Sequence, residues 1–538
     1  MKKSVVYMPI FFALAVIVGI FIGKTLSDKK SSHQVKQETV VKGDKINALL
    51  NLISAKYVDS LSSDSLIEKA IPKIVSNLDP HSVYIPASEL QTVNEELEGS
   101  FSGIGVQFNI QRDTVMIVSV IGGGPSEKLG VLPGDRIVTV NDSTFVGKEI
   151  TNEKVVNKLR GPKGTKVKVG IKRNGAKDLL SFEIVRGDIP VNSIDAYYKI
   201  GSDIGYVKVN RFGGSTYEEF FKALMAMKES GAEKFIVDLR GNSGGYLDAA
   251  ISMINEFLGK GDMIVYTEGN ANSRTDAIAD GNGRFKTNRV MVLIDEWSAS
   301  ASEIFAGAIQ DNDRGLIVGR RSFGKGLVQQ QFPLLDGSAL RLTIARYYTP
   351  SGRCIQKPYG NGEESYESDI YNRYIHGELD AKDSIHVNKS DTTIYRTKHG
   401  RVVYGGGGIM PDVFVPRDTT GMTSYFNKVN NSGMIYEYSF NYTDSNREKL
   451  KSYKNLNELE AFLDGEDLVS NFVVFAEGKG VKRNPNLLNK SRSLIKMKIK
   501  TYIIRNMLGD TAFYQILNRD DVTLKAALFQ LSSKNEIK

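Results

Sequence analysis

The 538-residue sequence has one cysteine, Cys354. A single thiol excludes an internal disulfide and any metal site built from several cysteines. With no histidine beside it to activate it, it reads as a partly buried thiol, not a nucleophile. Histidine is nearly as scarce, with five residues at positions 33, 81, 376, 386 and 399 and none between 200 and 350. Chemistry in that middle region therefore has no local imidazole, unless one folds in from a distance. No zinc-finger, RNP or basic-zipper pattern occurs, so nucleic acid is not an expected partner even at a net charge of +8. The glycine turns carry neither the G-x-G-x-x-G dinucleotide fingerprint nor a G-x-x-x-x-G-K-[ST] phosphate loop. No metal and no cofactor is called for. A composition of 41% hydrophobic and 25% charged residues excludes a wholly disordered chain, and the length points to two to four domains.

What is present is concentrated in the stretch from Arg289 to Gln331. Arg289 to Ile294 is a short, β-branched apolar run, the pattern of a buried strand. Small and polar residues follow through Ser302, and Ile304, Phe305, Ala308 and Ile309 then recur at helical spacing. Strand, small-residue turn and helix place a serine hydroxyl at a helix N-terminus, where free backbone N–H groups stabilise negative charge. Acyl transfer needs that nucleophile and those donors. It also needs a base. Lys325, between Gly324 and Gly326 and beside Phe323 and Leu327, can lose solvent. Desolvation lowers an amine's pKa and makes it a usable general base. From these residues alone, a surface lysine in a glycine turn stands equally well.

The stretch resembles the carboxyl-terminal processing peptidases, serine endopeptidases of the tail-specific type. The resemblance rests on Ser298-Ala-Ser-Ala-Ser302-Glu303 and on Phe323-Gly-Lys-Gly326 followed by Gln329, and it extends over roughly residues 45 to 415. It implies Ser300 as nucleophile and Lys325, which follows by 25 positions (325 − 300), as its base. It implies Gln329 as the residue orienting the lysine. Asp238-Leu-Arg-Gly-Asn-Ser-Gly-Gly245 matches the family's glycine turn. An oxyanion hole is then expected from the Ala301 N–H and from Gly244 or Gly245. The implied fold is a multidomain α/β chain with a crotonase/ClpP-like ββα spiral core, an inserted PDZ domain, an N-terminal helical segment and a C-terminal helical extension. The PDZ resemblance rests on Pro125-Ser-Glu-Lys-Leu-Gly130 and Leu132-Pro-Gly-Asp-Arg-Ile137. It implies that Gly103, Ile104, Gly105 and Val106 offer N–H groups to a peptide's terminal carboxylate while the peptide adds as a strand.

Along the chain, basic Met1-Lys-Lys3 precedes an apolar run, Ser4 to Gly23, long enough to span a bilayer. An uncleaved inner-membrane anchor with the catalytic domain on the periplasmic side is expected, and the membrane is an expected partner. The expected divisions are 1–26 membrane anchor or signal segment, 27–44 linker, 45–97 helical region, 98–187 PDZ domain, 188–415 protease core and 416–538 helical extension. His81, in Asp79-Pro-His-Ser82, reads as a turn histidine in preference to a catalytic imidazole. Residues 358–400 read as a long loop or insertion. Asp311, ending the serine helix, reads as structural, a residue that fixes the serine loop. The expected function is a Ser-Lys endopeptidase that cleaves exported proteins near or from their C-termini, its PDZ domain binding substrate tails or gating the active site; the expected partners are protein substrates with exposed C-terminal tails, and an oligomer or adaptor stays open. Two rivals are weighed. A non-catalytic, membrane-tethered PDZ scaffold has no use for Ser300, Lys325 and the glycine turn together. A Ser-x-x-K acyl hydrolase at Ser322–Lys325 needs a helical turn that Gly324 and Gly326 oppose.

Overall fold

The computed structural model describes residues 45–111, 113–173, 175–382 and 393–533. The expected anchor at Ser4–Gly23, the linker behind it, His33 and His386 lie outside them. Inner-membrane anchoring is corrected here: among the described residues, no helix is long and apolar enough to cross a membrane. The chain forms two compact units, Met1–Lys73 and Ile74–Lys538. In the first, the helix Lys45–Lys56 buries none of its residues, and Ile46, Leu49 and Leu52 all remain exposed.

The second unit is built on a six-stranded sheet. Its order is Ile194–Ile200, Ile204–Val209, Lys234–Asp238, Arg289–Ile294, Gly315–Gly319, Val413–Phe414. The first pair is antiparallel and every later pair parallel. Alternate residues face opposite sides. Val207, Phe235, Val237, Val290 and Val292 pack with Phe220, Met253 and Phe305 from the helices Thr216–Glu229, Leu247–Asn255 and Ala301–Asp311. Tyr206, Ile236, Met291, Leu293 and Val318 turn the other way and pack against Leu524, Ala527 and Leu531. Both faces are covered, so these strands read as unbroken apolar runs in place of alternating ones.

A second, antiparallel sheet joins Val83–Ile85, Ala339–Tyr348, Met263–Glu268 and Thr275–Ile278, with Leu327–Pro333 also paired to Ala339–Tyr348. The lysine turn lies at the start of that long hairpin. A third sheet runs Val106–Gln111, Thr114–Val120, Arg136–Val140, Lys166–Lys172, Leu180–Val185, with Val106–Gln111 at its end. It has its own core, in which Val115, Ile137 and Val169 meet Val155 and Leu159 of the helix Asn152–Leu159.

Beyond Thr423 the chain is helical and encloses a separate core that includes Leu459, Phe472, Ile495 and Ile503. Its longest helix, Pro485–Leu517, is broken at Gly509, whose φ of 83° no helix accommodates. The following helix, Val522–Ser532, returns to the six-stranded sheet. Asp521 caps it by accepting the Leu524 N–H at 2.7 Å, and its second oxygen accepts from Arg240 Nη1 at 2.6 Å. At the other end, the Arg289 guanidinium donates to the carbonyls of Gln530, Leu531 and Ser533. A cation there also complements the helix dipole.

Two expectations change. Residues 358–400 are not one loop: they hold the short helices Glu363–Glu367 and Asp369–Ile375 and the strand Ile394–Arg396, with 383–392 outside the described residues. Asp311 fixes the loop after the long hairpin and not the serine turn. It pairs with Arg353 at 2.7 Å, both side chains fully buried, and accepts from the Ser351 hydroxyl at 2.7 Å.

Asp521→Ala removes a helix cap and a charge-assisted bond together, so it should lower unfolding free energy by roughly 2 kcal/mol. An unchanged urea midpoint would show that this helix docks without help from Arg240.

Candidate active site

The strand Arg289–Ile294 delivers its chain into a turn clamped to the neighbouring glycine turn. Ser298 Oγ donates to the Leu239 carbonyl at 2.9 Å, the Ala299 N–H to the Asn242 carbonyl at 3.0 Å, and Ser302 Oγ to that same carbonyl at 2.9 Å. Asp295 returns the contact by accepting the Gly241 N–H at 2.9 Å. Held this way, Ser300 sits at φ 55°, ψ −116°, immediately before the helix Ala301–Asp311. A non-glycine residue there stores about 1–3 kcal/mol of strain. A sharp strand-to-helix turn of this kind exposes a serine hydroxyl above the sheet, as in nucleophile elbows.

The two glycines are required by what lies against them. A Cβ on Gly244 would approach Ser300 Cβ to 2.7 Å, and one on Gly245 would meet the Phe212 carbonyl oxygen at 2.0 Å. Their N–H groups differ. Gly244 donates to Asn242 Oδ1 at 2.8 Å, whereas the N–H groups of Gly245 and Ala301 take no partner among the described residues. Ala301 is the first residue of its helix, where that N–H has no intrahelical acceptor.

The lysine turn is tied to the serine turn through Glu303, fully buried in the first turn of the helix. One carboxylate oxygen accepts from the Ser300 N–H at 2.8 Å and the Lys325 N–H at 2.9 Å. The other accepts from the Gly324 N–H at 2.7 Å and the Ser322 hydroxyl at 2.5 Å. Burial pushes this carboxyl up to about 7, and those bonds to the charged form restrain it. Tyr347, buried in the long hairpin, does the same for the carbonyls: its hydroxyl is shared between the oxygens of Lys325 and Ser300.

Ser300, Ala301, Gly244, Gly245, Lys325 and Gln329 all line one cleft of about 430 Å³. Lys325 makes no ion pair among the described residues. Burial first, then the Arg341 charge, holds its pKa below the ordinary amine value, while Glu303 and Asp79 pull weakly upward. Gln329 Nε2 reaches Thr343 Oγ1 at 3.5 Å, and that hydroxyl donates to Asp79 Oδ1 at 3.0 Å. His81 stands near the lysine, but its Nε2 is bonded to the Tyr366 hydroxyl at 2.7 Å and burial lowers its pKa to about 4. The Ser-x-x-K alternative has no geometry to support it. Ser322 is fully buried with its hydroxyl on Glu303, and residues 322–325 form no helix.

Gly103, Ile104, Gly105 and Val106 do not line this cleft. Gly103 ends the strand Ser100–Gly103, paired with Gly187–Pro190, and Val106 opens the third sheet; between them Gly105 sits at φ 77° and the Ile104 carbonyl accepts from the N–H and hydroxyl of Ser126. No group of three or more His, Cys, Asp or Glu among the described residues could hold a metal ion. Sequence reasoning missed Glu303, Tyr347 and Arg341. Glu303 had a signal in its place three residues into a helix, where a carboxylate can cap back. Tyr347 and Arg341 had none beyond strand alternation.

Residues 203–362 match peptidase family S41, 102–184 a PDZ domain, and 19–88 an activating-protease CtpB N-terminal domain. Residues 425–509 match a family of unknown function. The carboxy-terminal processing protease CtpB of Bacillus subtilis (strain 168) is 33% identical over 428 residues, covering 76% of this chain and 85% of that protein. The carboxy-terminal-processing protease of Bartonella bacilliformis is 35% identical over 347 residues, 63% of this chain and 79% of that one. Among solved structures, a photosystem II D1 C-terminal processing protease aligns at 24% identity and a TM-score of 0.36, covering 71% of this chain and 95% of its own. This chain belongs to the carboxy-terminal processing proteases, serine-type peptidases of family S41 that carry a PDZ domain.

Proposed function

We propose that the chain hydrolyses protein substrates near their C-termini, with Ser300 as nucleophile and neutral Lys325 as general base. One observation carries this reading: a strained serine and a lysine without a counter-ion face the same cleft. Lys325 takes the proton from Ser300 Oγ as that oxygen attacks the peptide carbonyl. The Ala301 and Gly245 N–H groups receive the oxyanion; the commitment of the Gly244 N–H to Asn242 favours Gly245 over its neighbour. Lys325 then hands its proton to the leaving amine, and water, with its proton going to the same lysine, hydrolyses the ester. Gln329 orients the lysine from the neighbouring strand. The PDZ domain takes the substrate tail at Gly103–Val106, and the strand Val106–Gln111, at the end of its sheet, is placed to accept an added strand. Glu303 acts through the other groups, by holding their turns together.

Ser300→Ala and Lys325→Ala should each lower kcat/KM on a peptide with an apolar, uncharged C-terminus by about 10⁴-fold or more, with folding intact. Full activity in either variant would falsify the pair. Glu303→Gln places an NH₂ against N–H donors. It should lower both the unfolding midpoint and kcat/KM, the latter by about 10²-fold or more; wild-type values for both would remove Glu303 from the site. Because only neutral lysine accepts a proton, kcat/KM should fall as pH drops through the lysine's pKa. That acid limb should lie below 10.5, the ordinary amine value; a limb at or above it would mean a solvated lysine.

A further inference from the structure

Arg341 is a cation of the cleft that no acid among the described residues neutralises. No Asp or Glu is among the described residues lining the Ser300 cleft, yet two bases are, Lys325 and Arg341. Arg341 makes no ion pair among the described residues; its Nη2 donates to the neutral Gln331 Oε1 at 3.1 Å. Gln331 is fixed in turn by donation from its Nε2 to Asn94 Oδ1 at 3.1 Å. Strand register sets the direction of the side chain. Arg341 lies opposite Gln331, and Thr343 opposite Gln329, so these residues share one face of the hairpin. The guanidinium is half-buried, and withdrawal from water lowers its pKa.

A guanidinium carries five donors in a planar fork that matches a carboxylate's two oxygens. Among the described residues only one of these donors has an acceptor, and removing a charge from water without a partner is costly. The cleft also has a reason to hold no acid of its own. The Arg341 charge helps keep Lys325 neutral, and a resident carboxylate would oppose it. The missing anion is therefore one that arrives with the substrate. We propose that Arg341 is a carboxylate-binding subsite, pairing with the substrate's terminal carboxylate or with an Asp or Glu side chain close to the scissile bond. This rests on the reading of the cleft as the place of peptide cleavage. It makes the hairpin, as well as the PDZ loop, a reader of the substrate's end.

Three peptides of one sequence test it on the full chain: a free acid, the C-terminal amide, and the amide with one Glu placed beyond the cut. In the wild type, kcat/KM for the free acid should exceed that for the amide by on the order of tenfold or more. In Arg341→Gln that ratio should fall severalfold, the PDZ loop keeping the remainder, with Arg341→Lys between the two, since it keeps the charge and loses the fork. Recovery of the amide by the added Glu assigns the carboxylate to a side chain, and no recovery assigns it to the terminus. Should Arg341→Gln be inactive on everything, binding of free-acid and amidated product peptides to Ser300→Ala, with and without Arg341→Gln, gives the same ratio without turnover. A wild type indifferent to all three peptides overturns the proposal. So does a ratio unchanged in Arg341→Gln, because the PDZ loop then accounts for all of it. Failure of the cleft reading looks different: Ser300→Ala would still cleave all three.

Discussion

One buried carboxylate joins the two halves of this site. Ser300 belongs to a turn leaving the parallel sheet, and Lys325 to a turn entering the antiparallel hairpin. In the backbone one hydrogen bond joins them directly, from the Phe323 N–H to the Ser298 carbonyl at 3.0 Å. Glu303 lies between them and accepts from Ser300, Ser322, Gly324 and Lys325. Desolvating a carboxylate costs several kcal/mol, and four donors offset that cost. Tyr347 complements it by bonding the carbonyls of the same two residues. N–H groups of both turns meet one acceptor and their C=O groups meet one donor. Neither turn can shift without leaving a buried polar group unsatisfied, so the position of the amine relative to the hydroxyl follows from the backbone.

This division of labour also explains the cleft's electrostatics. The acid that braces the site is enclosed beneath it, where its charge is taken up by hydrogen bonds. The surface facing the substrate carries bases and amides. Lys325 is thus surrounded by influences that mostly favour its neutral form: withdrawal from water, then the Arg341 charge. The strain at Ser300 persists because the clamp between the serine and glycine turns over-determines it.

Much of this was legible in the sequence wherever the signal is short-ranged. Arg289–Ile294 and Ala301–Asp311 fall where the apolar run and the helical period place them. The glycines of the 241–245 turn were visible too, though which N–H stays free depends on the Asn242 side chain. The partnerships were not legible. Tyr347 lies 47 positions from the carbonyl it holds, and Arg353 lies 42 from Asp311. Alternation shows that such residues face inward but not what they meet. The polar stretch after Lys357 hid two short helices because their apolar positions are few: Tyr366 and Ile370 are buried among charged neighbours. The helical extension was legible as helix, but its return to the sheet rests on Arg240, Asp521 and Arg289, whose contacts cross hundreds of positions.

That return has a cost in time. Arg289 bonds the Leu531 carbonyl 242 positions further along, and the apolar side chains of Tyr206, Ile236, Met291 and Leu293 are shielded only once that segment arrives. During synthesis at about 5–20 residues per second, that face of the sheet waits roughly ten seconds or more for its cover. The protein is therefore most prone to sticking to other chains after its catalytic residues have been made and before its final helix has closed over them.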